Sequence, residues 1–383
     1  MLIKIGSFNV QNLKVGDSDG GSEDNSSFKK NKIEKIAEII KNEGYDLVAL
    51  QEIKNTEAVK GIAQELGYSF CHCDNLYNEL NRQNYTNKNN STFKPEYAFL
   101  WNPTVLVLDH DPEIYKGIYD RISLRLRAFI DMLVAAVYAM LIGGRNMLEE
   151  EEKENGKDED DKKEDESHRQ ILLDFFGLAG TVFTADKAQE TFIRHQISQV
   201  LQQTLRPSLI GVFKRCFSAE LCEREIRLIN VHTQFGKNMK EFKALRMQEL
   251  EFVLGDVFDV VATQRDGKMR CATTIVAGDY NMELPELAAL ETSESFLKLH
   301  KYRSFVTTQD KKTTVRLANA DEVEQGQRPE LEYVSNYDHF SYDASLFPSY
   351  GPVISRFDAT PDNFIIENKL VSDHVPVKMT FDF

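Results

Sequence analysis

Apolar and polar positions alternate at the start of the chain, with Ile3, Ile5 and Ser7 set against Leu2, Lys4 and Gly6, which predicts a strand over residues 2–9. The period then changes: Ile33, Ile36 and Ile40 recur at helical spacing and the pattern stops at Gly44. Residues 46–53 form a short apolar strand that closes on the polar pair Gln51 and Glu52. A helix is predicted over 56–67 and a strand around 68–73. Residues 97–101 and 104–109, joined through Asn102 and Pro103, read as a hairpin. Farther on, 209–217 and 226–232 read as strands, 239–263 as a long amphipathic helix, 273–281 as a strand and 375–383 as the last strand.

Strands that end in polar residues, with helices between them, predict two mixed sheets packed together and covered by helices. Residues 110–205 break the pattern. They are mostly helical in character, strongest over 118–147 and 184–205, with an acidic run at 149–166 between. We therefore expect one two-sheet domain from residues 1–109 and 206–383, interrupted by a helical insertion at 110–205. Without the insertion 287 residues remain, enough for one two-sheet domain.

Charge adds one correction to this picture. The chain carries a net charge of −15, and the run at 149–166 alone contributes −8, so the body is only mildly acidic and is no basic nucleic-acid-coating protein. The five cysteines, at 71, 73, 216, 222 and 271, lack zinc-ligand spacing and read as reduced thiols. The N-terminus opens on a strand pattern with no leader-like segment, so the expected location is cytoplasmic. The apolar run at 132–144 is shorter than the ~20 residues of a membrane span, and no stable span is expected.

Polar residues cluster where strands end. They are Asn9, Glu52, Glu96 before Tyr97-Ala98-Phe99-Leu100, His232 in Asn230-Val231-His232, Asp279 and Asn281 in Gly278-Asp279-Tyr280-Asn281, Asp338, and Asp373-His374. Hydrolysis of a phosphodiester requires a neutralised phosphate, a nucleophile made from water, and a proton for the leaving oxygen. Carboxylates at Glu52, Asp279 and Asp373 can hold a hard divalent cation, and the amides of Asn9 and Asn281 can orient ligands or phosphate. Two histidines, each held by a carboxylate, can serve as acid and base. No P-loop or Rossmann glycine motif is present.

Taken in order, these motifs resemble the endonuclease/exonuclease/phosphatase superfamily, and within it the deoxyribonuclease I type. The matching stretches are Ser7-Phe8-Asn9-Val10, Leu50-Gln51-Glu52, Lys94-Pro95-Glu96-Tyr97, Asn230-Val231-His232, Gly278-Asp279-Tyr280-Asn281, Tyr337-Asp338 and Ser372-Asp373-His374-Val375-Pro376-Val377. The resemblance implies a four-layer α/β/β/α sandwich and a Mg²⁺-dependent phosphodiesterase, with Mn²⁺ as a substitute. It implies Glu52 as principal metal ligand with Asn9, Asp279 and Asp373 around it. It also implies couples of Glu96 with His232 and Asp338 with His374 as acid and base, and Asn281 on the phosphate oxygen.

The histidine at 232 argues against the abasic-site branch of the superfamily, where a tyrosine stands. The residues flanking Gly278-Asp279-Tyr280-Asn281 argue against its inositol-phosphatase branch. The expected activity is thus endonucleolytic cleavage of DNA, with a phospholipid or a small phosphate ester as the alternative substrate. Lys54, Arg82, Lys88, Lys94 and Arg206 are the candidate nucleic-acid contacts. The segment 78–94 adds six asparagines suited to groove edges. The apolar faces of the insertion, which include Leu133, Val137 and Ile197, bury each other, or serve a protein partner or a homodimer.

Overall fold

The computed structural model describes residues 1–14, 23–73, 96–109, 113–114, 208–216, 223–233, 246–247, 249–263, 270–308, 310–319, 323, 327–348 and 351–383. They belong to a unit formed by Met1–Lys116 and Arg206–Phe383. The second unit, Gly117–Leu205, lies outside the described residues, and with it the acidic run and the apolar segment of the expected insertion; of the insertion's residues only Glu113–Ile114 are described, and they belong to the first unit as a strand of its sheet.

The strands are β1 (Leu2–Leu13), β2 (Leu47–Ile53), β3 (Ser69–His72), β4 (Tyr97–Trp101), β5 (Leu106–Leu108), β6 (Glu113–Ile114), β7 (Leu209–Arg215), β8 (Glu223–His232), β9 (Arg270–Asp279), β10 (Phe305–Thr308), β11 (Val315–Leu317), β12 (Leu331–Tyr333), β13 (Asp338–Asp343), β14 (Val353–Arg356), β15 (Ile365–Ile366), β16 (Lys369–Leu370) and β17 (Val377–Asp382). The helices used below are α1 (Glu23–Glu43), α2 (Thr56–Leu66), α3 (Phe258–Thr263), α4 (Leu284–Glu291) and α5 (Glu294–Leu299). One sheet runs β14-β17-β1-β2-β4-β3. The other runs β10-β13-β9-β8-β7-β5, with β6 also pairing β7. Parallel pairs (β1 with β2, β8 with β9) sit among antiparallel neighbours, so both sheets are mixed as expected.

Two apolar clusters set the layers. Between the sheets, Ile3, Ile5, Leu47, Ala49 and Phe99 meet Phe213, Ile226, Leu228, Ile275, Ala277 and Phe340. On the outer face of the first sheet, Phe8, Val10, Val48 and Leu50 meet Ile36 and Ile40 of α1 and Val59 and Ile62 of α2. Arg227, on the outer face of β8, donates to the Val261 carbonyl of α3, so the second sheet carries its own helical cover. The result is the four-layer α/β/β/α sandwich that the resemblance implies. Among the described residues no helix is long and apolar enough to cross a membrane.

Three expectations change. Residues 97–101 and 104–109 do not form a hairpin, because β4 lies in the first sheet and β5 in the second. The Asn102 side chain accepts from both the N–H and the hydroxyl of Thr104, turning the chain out of one sheet and into the other. β1 continues past Asn9 to Leu13 through Gln11 and Asn12, which hold left-handed backbone at φ 47° and 51° and shift the register to β2. The described part of the expected helix over 239–263 is also uneven, with a widened turn at Phe252–Val257 before α3.

The inward rows end alike. Ile3, Ile5, Ser7, Asn9 follow one another on β1; Leu47, Ala49, Gln51 on β2; Ile226, Leu228, Asn230, His232 on β8; and Ile275, Ala277, Asp279 on β9. Because side chains on one strand face repeat every second residue, each row passes from apolar core to polar end at the same edge of the sandwich. Two buried amides mark the change. Gln51 Nε2 donates to Asn230 Oδ1 (2.8 Å) and Ser7 Oγ (3.1 Å), and Asn230 Nδ2 donates to the carbonyls of Leu50 and Ala98.

Candidate active site

Backbone pairing sets the site before any side chain is considered. His232 of β8 pairs with Asp279 of β9, and Asp279 pairs with Asp338 of β13, so three polar residues stand in line across three strands. Gly278 allows this register: a Cβ there would lie 1.9 Å from the Val231 carbonyl oxygen, so only glycine fits. From the first sheet come Asn9 and Glu52. Glu52 adopts left-handed backbone at φ 59°, as Asn281 does at φ 49°. Non-glycine residues in this conformation are uncommon and tend to collect where a site demands them. Gln11, Asn12, Glu52 and Asn281 are four of the six among the described residues.

Asn9 joins the two sheets' acids. Its Nδ2 donates to Glu52 Oε1 (3.0 Å) and to Asp279 Oδ2 (3.1 Å), while its Oδ1 accepts from the Gln11 N–H (3.0 Å). The amide oxygen is thus engaged locally, and the nitrogen orients two carboxylates. Glu52 Oε2 accepts from the Asn12 N–H, and Asp279 Oδ1 from the Asn281 N–H, leaving Glu52 Oε1 and Asp279 Oδ2 toward the site. His232 Nε2 is 3.7 Å from each of those two oxygens. The Tyr97 hydroxyl holds the backbone of His232, accepting from its N–H at 3.0 Å.

His374 stands on the other side. Its Nδ1 donates to Asp338 Oδ2 at 2.8 Å, and its Nε2 lies 3.5 Å from Asp279 Oδ2. Burial by itself disfavours the imidazolium, but the carboxylates of Asp338 and Asp279 outweigh it and raise the pKa of His374 well above its ordinary value. Asp279 is fully enclosed. Burial raises its carboxyl, with Asp338 adding and His374, the Asn281 N–H and the Asn9 amide opposing, to about 7. Asp373 is raised as well, first by burial and then by Glu52 and Asp338 against the pull of His374.

Of the couples expected, Asp338 with His374 is formed and Glu96 with His232 is not. The Glu96 carboxylate pairs with Lys54, and His232 faces Glu52 and Asp279 instead. Asn281 donates its side-chain N–H to the Thr233 carbonyl at 2.9 Å. Arg82, Lys88, Lys94 and Arg206 lie outside the described residues.

Crowded acids whose pKa values are raised need a positive partner, and the residues here fit one. Asp338 Oδ1 is buried without a hydrogen-bond partner, and Asp279 and Asp338 each offer a carboxylate oxygen beside the His374 ring, these atoms lying within 4.8 Å of one another. Together with Glu52 and Asp373 the donor set is oxygen-rich, as a hard divalent cation requires.

Sequence reasoning missed Lys32. It is 6% exposed on α1, donates to the Gln11 carbonyl at 2.9 Å, and feels the charges of Asp373 and Glu52. Burial lowers its ammonium to about 8 against their pull. A lysine four residues before Ile36, on the apolar stripe of α1, was the signal available.

No protein-family model matches the chain, and no curated protein matches it significantly. Solved structures do align with it. A Danio rerio TDP2 complexed with a single-strand DNA product is 13% identical, with 100% of this chain and 99% of that one covered and a TM-score of 0.48. A Caenorhabditis elegans TDP2 is 12% identical, covering 100% and 75%, with a TM-score of 0.45. A Bacteroides thetaiotaomicron mannosyl-6-phosphatase is 11% identical over 100% of both chains, with a TM-score of 0.45. At such scores these likenesses decide neither substrate nor reaction.

Proposed function

We propose that the chain is a divalent-metal-dependent phosphodiesterase that cleaves DNA endonucleolytically. The observation that carries this reading is the meeting of His232, Asp279 and His374 around one carboxylate oxygen, with Glu52 and Asn9 alongside. Glu52, Asp279 and Asp373 would hold Mg²⁺ or Mn²⁺, which when bound supplies charge neutralisation of the phosphate and an acidified water. His374, kept protonated by Asp338, presents a proton at Nε2 to an oxygen of the ester. Asp279 Oδ2, held by the Asn9 amide, faces the same place from the metal side. Asn9 keeps Glu52 and Asp279 side by side throughout.

A second reading, hydrolysis of a small phosphate ester or a phospholipid headgroup, is favoured by a different observation. Lys54 is committed to Glu96 and Lys32 is buried, so neither of these two cations is placed to follow a polyanion. Incubation with supercoiled plasmid and Mg²⁺ or Mn²⁺ separates the two. Nicking abolished by EDTA and by Glu52→Ala supports the nuclease. Intact plasmid with hydrolysis of a small phosphomonoester or a phospholipid supports the second reading. Hydrolysis of neither refutes both.

A further inference from the structure

The two members of the Asp338–His374 couple come from different sheets. Asp338 opens β13 in the second, and His374 precedes β17 in the first. Residues 313–315 lie between them. The Thr313 hydroxyl oxygen accepts from the N–H groups of both Tyr337 (3.0 Å) and Asp338 (3.1 Å). The Thr313 carbonyl accepts from the Val375 N–H (2.8 Å), Thr314 pairs with His374 as an antiparallel bridge, and the Val315 N–H donates to the Asp373 carbonyl (2.8 Å). Thr313 itself is fully enclosed.

We propose that Thr313 is a positioning residue for the couple, its hydroxyl fixing the backbone of Asp338 while its carbonyl fixes the residue after His374. This rests on the hydrolytic reading of the site for its consequence, though not for its geometry. Both lone pairs of the hydroxyl are used by backbone donors. A side chain of the same shape without an oxygen leaves the enclosed N–H of Asp338 and the half-buried N–H of Tyr337 without this partner and frees Asp338 to move relative to the imidazole. Displacement of a catalytic couple by a fraction of an ångström to an ångström lowers turnover without removing the substrate's contacts.

The test compares Thr313→Val, Thr313→Ser and Thr314→Val. Thr314 exchanges its side-chain hydrogen bonds with Ser335 alone, so its variant reports the general cost of loosening this segment. Two readouts are taken at matched folded fraction. One is the low-field imidazole N–H proton resonance of His374, assigned by its loss in His374→Gln; the other is kcat and KM with a chromogenic phosphodiester and Mn²⁺. The expected result is that Thr313→Val shifts or loses the resonance and lowers kcat about 10- to 100-fold with little change in KM. Thr313→Ser and Thr314→Val keep both. If Thr313→Val does not fold, Thr313→Cys, with a poor acceptor at the same place, carries the comparison. A resonance and kcat unchanged in Thr313→Val, or equal damage from Thr314→Val, overturns the proposal. If the wild type hydrolyses nothing, the functional reading fails alone, and the resonance still decides the role of Thr313.

Discussion

Nδ1 of His374 lies 2.8 Å from Oδ2 of Asp338, and both residues are buried where the two sheets meet. The carboxylate keeps the imidazole charged and fixes the direction of Nε2. His374→Gln removes the charged donor and should lower kcat for a chromogenic phosphodiester by about 10²- to 10⁴-fold, with the circular dichroism spectrum unchanged. Full activity in this variant would rule out the acid role given to His374.

Glu52 and Asp279 share the Asn9 amide, so the acids are held together before any cation arrives. Glu52→Ala should weaken Mn²⁺ binding at least about 10-fold, read by electron paramagnetic resonance of free Mn²⁺. Asn9→Ala should weaken it less, because it removes the orienting amide and leaves the carboxylates.

His300 packs against Phe258, Phe296 and Phe305 and bonds the Leu254 carbonyl through Nε2. Burial lowers its pKa from 6.5 to about 4, the Leu254 bond opposing. The unfolded chain therefore takes up a proton that the folded one refuses. The stability this gives is complete above pH 6.5 and is lost as the pH falls from 6.5 towards 4. The amide of glutamine can replace the donor without titrating. Melting temperatures measured at pH 7 and pH 5 should fall further in the wild type than in His300→Gln.

Gly278 lies against Val231 with no room for a methyl group. Gly278→Ala should destabilise the protein by about 3 kcal/mol or more, by forcing β8 and β9 apart. Urea unfolding followed by tryptophan fluorescence measures this, since Trp101 packs on Phe213 between the sheets.

Much of this was legible in the sequence. The alternation Ile3, Ile5, Ser7, Asn9 gave both the inward face and the residue that leaves it, and His232 and Asp279 end rows of the same kind, whereas Glu52 lies in phase with the outward Val48 and Leu50 and reaches the site through its left-handed backbone. What was hidden depends on neighbours from distant parts of the chain. β13 escaped notice because its second face, His339 and Ser341, is polar yet fully buried, satisfied by the Met282 carbonyl and the Tyr280 hydroxyl. Glu96 takes Lys54 rather than His232, a choice between two candidates that spacing does not make. Thr313 acts through backbone N–H groups, which leave no trace in residue type, and Lys32 shows only as a lysine on the apolar stripe of α1.

The pairing of β6 with β7 sets Glu113 opposite Ile210 and Ile114 opposite Leu209. Two strands far apart in the chain are thus closed against each other in antiparallel register at this end of β7. For a flexible loop each doubling in length adds only about 0.6 kcal/mol of closure entropy. The length of chain between β6 and β7 therefore bears little on their pairing, and the register of β7 against β8 beneath the site is set by the strands themselves.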